Sequence, residues 1–176
     1  MGPGNPREAR AARSGARRTE SEQDLAGRIR AARRRLAADG PHCQKHFHGC
    51  GWAAITEAGL AGLCRLVPER SQIALPRLLG EGFAADAAFV DGSHVFHNVF
   101  VDLFYLRELV RPGGLVILDD CGYPSVATAA RYFEVNTGWE PEPIARPTRL
   151  RAFRLPKPRT EPSFESFRPF GLDAAG

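Results

Sequence analysis

Four side chains that could carry chemistry follow two short apolar runs of this sequence. Asp91 comes directly after the first run, and His94 stands three residues further on. Asp119 and Asp120 come directly after the second run. Three carboxylates brought together repel one another, and Mg²⁺ relieves that repulsion because it prefers oxygen ligands. The residue types therefore point to a metal site, and the alternatives are capping of a helix or turn and contact with a cofactor without metal.

His94 has two interpretations. Its pKa range near neutrality suits a general base acting beside the acids. It could equally lie in the first turn of the next helix and bond only the backbone. His97 is expected on the surface of that helix.

A second group of possible metal ligands lies within nine residues: His42, Cys43, His46, His48 and Cys50. Zinc binds such side chains, but this spacing matches no common zinc finger and no second ligand pair follows downstream. A loop with incidental His and Cys is the interpretation that the spacing favours. The chain contains no GxGxxG, P-loop, GxSxG or HExxH motif. The sequence therefore gives no support for the dinucleotide-binding, nucleotide-phosphate-binding, serine-hydrolase or zinc-protease classes that these motifs indicate.

Apolar periodicity predicts the elements that must position the acids. Helices are expected over 52–61, 71–79, 95–110 and 125–135, buried strands over 64–67, 87–90 and 115–118, and edge strands near Ile144 and over 148–155. The sequence Arg-Pro-Gly-Gly is expected to stop the third helix in a turn. Strands alternating with helices predict an α/β fold with a parallel sheet, in which ligands bind at the carboxyl ends of the strands. The three acids fall at that edge.

The positive charge of the chain is concentrated in one tail. The 176 residues suit a single domain with a sizeable core, and their net charge is +4. Residues 1–35 hold ten of the 24 basic residues but only four of the 20 acidic ones, so the body carries −2. A nucleic-acid-binding body usually carries the positive charge itself, so nucleic acid is disfavoured as a partner. The tail is expected to be a disordered or short helical solvated arm, and the alternatives are a nucleic-acid or membrane arm and an N-terminus that is not the natural one.

Cysteine usage and hydropathy bear on the compartment. The four cysteines follow no apolar signal segment, and no apolar run approaches the ~18 residues of a membrane span. A reduced, cytoplasmic protein without a membrane partner is therefore expected.

The stretch AAFVDGSHVFHNVFVDLFYLRELVRPGGLVILDD, at 87–120, resembles the class I S-adenosylmethionine-dependent methyltransferases. Within that class it is most similar to the branch of catechol-type and macrolide-sugar O-methyltransferases. ERSQIALPRLL, at 69–79, is similar to the segment before that branch's fourth strand, and RLRAFRLP fits its C-terminal antiparallel pair.

The resemblance implies a Rossmann-like α/β sheet, mostly parallel with a C-terminal antiparallel strand, over 39–156. A basic tail, 1–38, would precede this domain and a loose arm, 157–176, would follow it. Upstream of Asp39 the sequence shows neither the apolar strand nor the glycine-rich loop of that class. The expectation is an N-terminally incomplete domain, truncated or degenerate, with a compromised core and weak cofactor binding.

The resemblance also implies a set of residues for S-adenosylmethionine. Ser71 and Gln72 match positions that contact the adenine ring. Asp91 and Gly92 match the acid and glycine after the fourth strand. Asp39 matches, loosely, the acid that holds the ribose.

The same resemblance implies a metal site and a base. Asp91, Asp119 and Asp120 match the ligands of a divalent metal such as Mg²⁺, where the branch has one. His94 stands where catechol-type enzymes keep a lysine base.

The implied function is methyl transfer from S-adenosylmethionine to the hydroxyl of a small-molecule acceptor, with or without metal. The alternative is a non-catalytic remnant that acts through protein contacts. The sequence leaves the oligomeric state open, a homo-oligomer included.

Overall fold

The computed structural model describes residues 35–37, 50–144 and 149–171. Contacts divide them into two compact units, one holding 35–37 and 51–66 and the other holding 67–144 and 149–171. The expected ribose ligand Asp39 and the His and Cys residues at 42–48, for which zinc was the disfavoured alternative, lie outside the described residues, as does the side chain of Cys50.

The first unit contains a short parallel strand pair. Strand β1, Arg35–Ala37, pairs with β2, Cys64–Leu66. Helix α1, Cys50–Glu57, and a 3-10 turn, Ala61–Leu63, lie between them in the chain. The helix ends earlier than its apolar pattern predicts because Gly59 adopts a left-handed conformation with φ 69°, which turns the chain out of the helix.

The second unit is built on a four-stranded mixed sheet. Its strands are β3, Ala85–Val90, β4, Val110–Leu118, β5, Glu140–Glu142, and β6, Arg151–Arg154, in the order β3-β4-β6-β5. β3 and β4 are parallel, whereas β6 is antiparallel to both β4 and β5. The predicted α/β class with a C-terminal antiparallel pair is confirmed.

The second unit also contains three helices, α2, Ser71–Gly80, α3, Phe96–Leu109, and α4, Pro124–Thr137, of which α3 contacts the other two and β4. Each lies within two residues of its prediction. The core contains apolar side chains from α3, α4, the strands and the connection after α4: Val99, Leu103, Val110, Val116, Leu118, Val126, Phe133, Trp139 and Phe153. Among the described residues, no helix has the length and hydropathy needed to cross a membrane.

Arg-Pro-Gly-Gly follows the end of the helix, as expected, but it lies within a strand and does not form a turn between two elements. α3 ends at Leu109 and β4 begins at the next residue. Ala85 pairs with Val110, but Ala87 pairs with Leu115, so the four residues between Val110 and Leu115 bulge out of the ladder. The segment is therefore a bulge inside a strand. The bulge still changes the direction of the chain, which is the local geometry that glycine and proline favour.

Gly114 is required in this bulge by a close approach of the backbone. A Cβ at this position would lie 2.5 Å from Val110 Cγ1 and 2.7 Å from the main-chain oxygen of Asp86. Real Cβ atoms do not tolerate such contacts, so only glycine lets β4 return to its partner here.

The first of the two C-terminal edge strands is also displaced from its expected position. It was expected near Ile144, but β5 ends at Glu142. The displacement follows from α4, which Gly138 terminates with φ 71°, so that Trp139 turns into the core and the strand begins directly after it. β6 lies inside the range predicted for it.

The segment after β6 contacts the ends of α3 and α4. Arg159 donates hydrogen bonds to a Glu108 carboxylate oxygen at 2.8 Å and to the main-chain oxygen of Val110 at 3.2 Å. Asn136 accepts from the Arg168 N–H at 2.8 Å and donates to the Arg168 carbonyl at 3.0 Å. These bonds fix the path of the segment across the two helix ends.

Candidate functional site

The carboxyl ends of β3 and β4 lie level with each other. Val90 pairs with Leu118, and the Asp119 N–H donates to the Val90 carbonyl at 2.9 Å. Asp91 and Asp119 therefore leave the sheet at the same edge, as the strand pattern predicts.

Asp91, His94 and Asp120 come together at this edge. One possible ligand atom from each lies within 4.8 Å of the other two. His94 Nε2 is 2.8 Å from Asp120 Oδ2, and the Asp120 side chain is largely buried whereas that of His94 is 44% exposed. A protein-held carboxylate beside an accessible imidazole is an arrangement that can hold and orient a proton acceptor.

Asp119 lies beside this group and serves the local turn. Its Oδ1 accepts a hydrogen bond from the Asp120 N–H at 2.6 Å. Of the three acids proposed as metal ligands, the structure thus brings Asp91 and Asp120 together with His94, and Asp119 stays outside that group.

Asp120 occupies a left-handed backbone conformation with φ 56°. Non-glycine residues reach this region at an energetic cost, and such residues recur at functional sites. The Tyr123 N–H donates to the Asp120 carbonyl at 3.0 Å, and the Cys121 N–H donates to the Arg149 carbonyl at 3.0 Å. These bonds hold the turn that aims the Asp120 carboxylate at His94.

Arg149 is a site residue that sequence reasoning missed. Its Nη1 lies 3.0 Å from Asp120 Oδ1, a buried atom, in an ion pair that lacks hydrogen-bond geometry. Arg149 follows a segment rich in proline and arginine, and no periodicity or spacing there relates it to the acids.

Tyr123 and Ser125 support His94 and were also missed. The Tyr123 ring stacks on the imidazole with centroids 4.9 Å apart and planes 20° apart. Ser125 Oγ donates to the His94 carbonyl at 2.6 Å. The start of α4 thus fixes both the ring and the main chain of His94.

Ser71 and Gln72 lie in the first turn of α2, both half-buried. Gln72 Nε2 donates to Asn98 Oδ1 at 2.9 Å, and Asn98 Nδ2 donates to Ser93 Oγ at 2.9 Å. A chain of hydrogen bonds therefore joins Gln72 to the loop that carries Asp91. Gly92 in that loop is exposed, and a Cβ there would meet no atom within 4 Å.

Asp102 is a buried acid on α3 that sequence reasoning missed. Burial raises the pKa of its carboxyl above the ordinary value, and a hydrogen bond from Ser71 acts in the opposite direction. Its Oδ1 atom has no hydrogen-bond partner among the described residues. Asp102 and Asn98 lie one helical turn apart, and two polar residues at that spacing beside buried Val99 and Leu103 were the available signal.

Cys121 lies beside the acids without adding a nucleophile. Burial raises the pKa of its thiol, although the positive charge of Arg151 acts in the opposite direction. A thiol with a raised pKa stays protonated at neutral pH, so its nucleophilicity is low.

The residues at the strand ends fit a hard divalent cation. Asp91 and Asp120 offer carboxylate oxygens, and Mg²⁺ is held in proteins by one or two carboxylates with waters completing its shell. The imidazole of His94 would additionally suit Mn²⁺ or another transition metal.

A family described as a methyltransferase domain matches residues 10–121, which is more than half of the chain. The chain therefore belongs to this family, in agreement with the resemblance read from its sequence. A search of curated proteins gives no match.

Two methyltransferases of biosynthetic pathways are among the solved structures that this chain matches. The apo structure of CalS11, a TDP-rhamnose 3'-O-methyltransferase of calicheamicin biosynthesis, matches with a TM-score of 0.53 and 15% identity over 69% of this chain. MycE methyltransferase of the mycinamycin pathway, in complex with Mg, SAH and mycinamycin VI, matches with a TM-score of 0.41 and 17% identity over 53% of this chain. This chain spans 58% of the CalS11 chain and 32% of the MycE chain.

Proposed function

We propose that this chain transfers the methyl group of S-adenosylmethionine to a hydroxyl of a small-molecule acceptor, with the assistance of a divalent cation. The observation that carries the proposal is the convergence of Asp91, His94 and Asp120 at the strand ends of a methyltransferase-family domain. Carbohydrate hydroxyls are the acceptors to try first, because CalS11 is a rhamnose O-methyltransferase with a similar fold.

The proposed cofactor residues lie on two elements. Ser71 and Gln72 would contact the adenine ring from α2, and Asp91 and Gly92 would contact the cofactor from the loop after β3. The sulfonium of S-adenosylmethionine supplies the methyl group, and transfer depends mainly on alignment of donor and acceptor. Asn98 supports this alignment because it bonds Gln72 on one side and Ser93 on the other.

Asp91 and Asp120 would hold the cation, with Asp119 shaping the turn between the strand and Asp120. A bound Mg²⁺ lowers the pKa of a coordinated hydroxyl and orients it. His94 would accept the acceptor's proton, and Tyr123 keeps its ring in place by stacking.

Label transfer from methyl-tritiated S-adenosylmethionine tests this function. The chain is incubated with nucleotide sugars and with phenols, in Mg²⁺ and in EDTA. Transfer that requires Mg²⁺ is expected from the native chain and from Asp86→Asn, an exposed acid remote from the site, but not from Asp120→Asn. Equal transfer in EDTA would contradict the cation's role.

A further inference from the structure

Arg149 brings a positive charge of the chain itself to the acids at the strand ends. Its Nη1 lies 3.0 Å from Asp120 Oδ1, and its Nη2 lies 3.9 Å from Asp119 Oδ1. The guanidinium is therefore closest to Asp120, which is one of the two carboxylates that the proposed divalent cation also needs.

Asp120 depends on a cation at its Oδ1 atom. The residue is only 9% exposed, and Oδ1 has no hydrogen-bond partner among the described residues. The other oxygen, Oδ2, lies 2.8 Å from His94 Nε2. A buried carboxylate without a compensating partner is strongly destabilising, so a positive charge has to stay beside Oδ1. In the structure Arg149 supplies that charge.

Arg149 can leave this position without moving the turn. Its side chain is 72% exposed, so water can solvate the guanidinium when it swings away, and an exposed ion pair of this kind is weak. The Arg149 carbonyl accepts a hydrogen bond from the Cys121 N–H at 3.0 Å. This bond keeps the main chain beside Asp120, so the side chain can return.

We propose that Arg149 is the resident counter-ion of Asp120 and that a divalent cation binds by displacing it, so that Arg149 sets the cation affinity of the site. This inference deepens the proposed function and rests on it. A guanidinium and a divalent cation at one carboxylate repel each other, whereas an empty Oδ1 leaves a buried charge uncompensated. One cation therefore leaves as the other arrives. Asp91 and Asp119 favour the exchange, because three carboxylates attract a double charge more strongly than a single one.

Titration with Mn²⁺, followed by electron paramagnetic resonance, measures the competition. Arg149→Gln removes the competing charge and should tighten Mn²⁺ binding about threefold to fivefold, the range expected for loss of an exposed ion pair. Arg149→Lys keeps a positive charge and should bind Mn²⁺ less tightly than Arg149→Gln. Arg154→Gln removes the same charge from β6, where Arg154 pairs with Glu142, and should keep the native affinity.

Modification by phenylglyoxal, located by mass spectrometry, detects the displacement itself in the native chain. Mg²⁺ should increase the modification of Arg149, because the displaced guanidinium is open to the reagent, and should leave that of Arg154 unchanged. In Asp120→Asn the modification of Arg149 should already be high without Mg²⁺ and should not respond to it.

The outcomes separate this inference from the proposed function. Mn²⁺ affinity that is unchanged or lower in Arg149→Gln, or modification of Arg149 that does not rise with Mg²⁺, overturns the inference. Binding of Mn²⁺ by the native chain that Asp120→Asn weakens would still support the proposed cation site. Failure of the folded native chain to bind Mn²⁺ overturns the role of the cation in the proposed function, and the inference with it.

Discussion

At the scale of single residues, Asp120 combines a strained backbone conformation with charged contacts to its neighbours in the site. Its left-handed backbone is held by the turn to Tyr123, and its carboxylate lies between His94 and Arg149. The Arg149 side chain is 72% exposed, so its charge is screened and easily withdrawn. Asp120 is therefore the acid from which a divalent cation would most easily displace the arginine partner, Arg149.

Substitution of Asp120 by Asn should weaken cation binding. We expect the affinity for Mn²⁺, followed by electron paramagnetic resonance, to fall at least about 10–100-fold, the range found even for residues that only support ligands. Asp119→Asn should have a smaller effect, since Asp119 bonds the Asp120 N–H. Equal losses in the two variants would mean that Asp119 is itself a ligand.

Asp102 should make folding stability depend on pH. Burial raises its pKa in the folded state, so its contribution is favourable below its unfolded pKa and is lost as the pH rises through the folded pKa. Asp102→Asn removes the buried charge and should exceed the native chain in unfolding free energy at neutral pH.

Urea denaturation at pH about 4 and about 7 measures this difference. The advantage of Asp102→Asn should shrink toward the acidic value. An advantage that is constant across the range, or that grows toward acid, would show that the carboxylate is stabilised in its charged form.

The convergence of Asp91 and Asp120 near His94 could be predicted because both acids closely follow the ends of neighbouring strands, but the partners of these residues could not. Tyr123 and Arg149 reach His94 and Asp120 through the turn after β4 and the approach to β6, and neither contact follows from a local pattern. Asp102 is a different case, because a polar residue among the buried apolar positions of α3 is visible in the sequence pattern itself.

At the scale of elements, local periodicity and glycine positions account for most boundaries. α2, α3 and α4 follow their apolar spacing closely, whereas the ends of α1 and α4 depend on the left-handed Gly59 and Gly138. The sequence Arg-Pro-Gly-Gly indicates a change of chain direction, but it does not show whether strand pairing continues on both sides. The bulge before Leu115 was therefore predicted as a turn.

Gly114→Ala should destabilise the β3–β4 pair. The added Cβ would meet Val110 and the Asp86 carbonyl, and such overpacking costs about 1–3 kcal/mol. The unfolding free energy from urea denaturation measures the loss.

Gly80→Ala is the matched control. Its Cβ meets no atom within 4 Å at the end of α2, so this substitution should be neutral or stabilising by up to about 1 kcal/mol. Similar losses in both variants would place the effect outside the bulge.

At the scale of the whole molecule, the segment after β6 ties the second unit together. Arg159 bonds both the side chain of Glu108 and the carbonyl of Val110, where α3 passes into β4. The sequence predicts a loose arm here because proline and charge dominate, and composition contains no information about these long-range bonds.

Arg159→Ala should lower the unfolding free energy by about 1–2 kcal/mol, since its bonds include a charged, half-buried carboxylate. It should also speed proteolysis within 157–171. Arg111→Ala, which breaks an exposed pair with Asp86, should change stability by less than about 0.5 kcal/mol. Equal losses of unfolding free energy in the two variants would show that Arg159 contributes no more than an exposed surface charge.

We expect this methyltransferase-family chain to bind the nucleoside cofactor and a divalent cation at the carboxyl ends of β3 and β4. Calorimetric titration of the full chain with S-adenosylhomocysteine, with Mg²⁺ present and with EDTA, tests it most directly. Saturable one-to-one binding that Gln72→Ala weakens, together with Mg²⁺ binding that Asp91→Asn and Asp120→Asn abolish, is the predicted result. Absence of binding in a chain whose circular dichroism shows native helices and strands would contradict the claim.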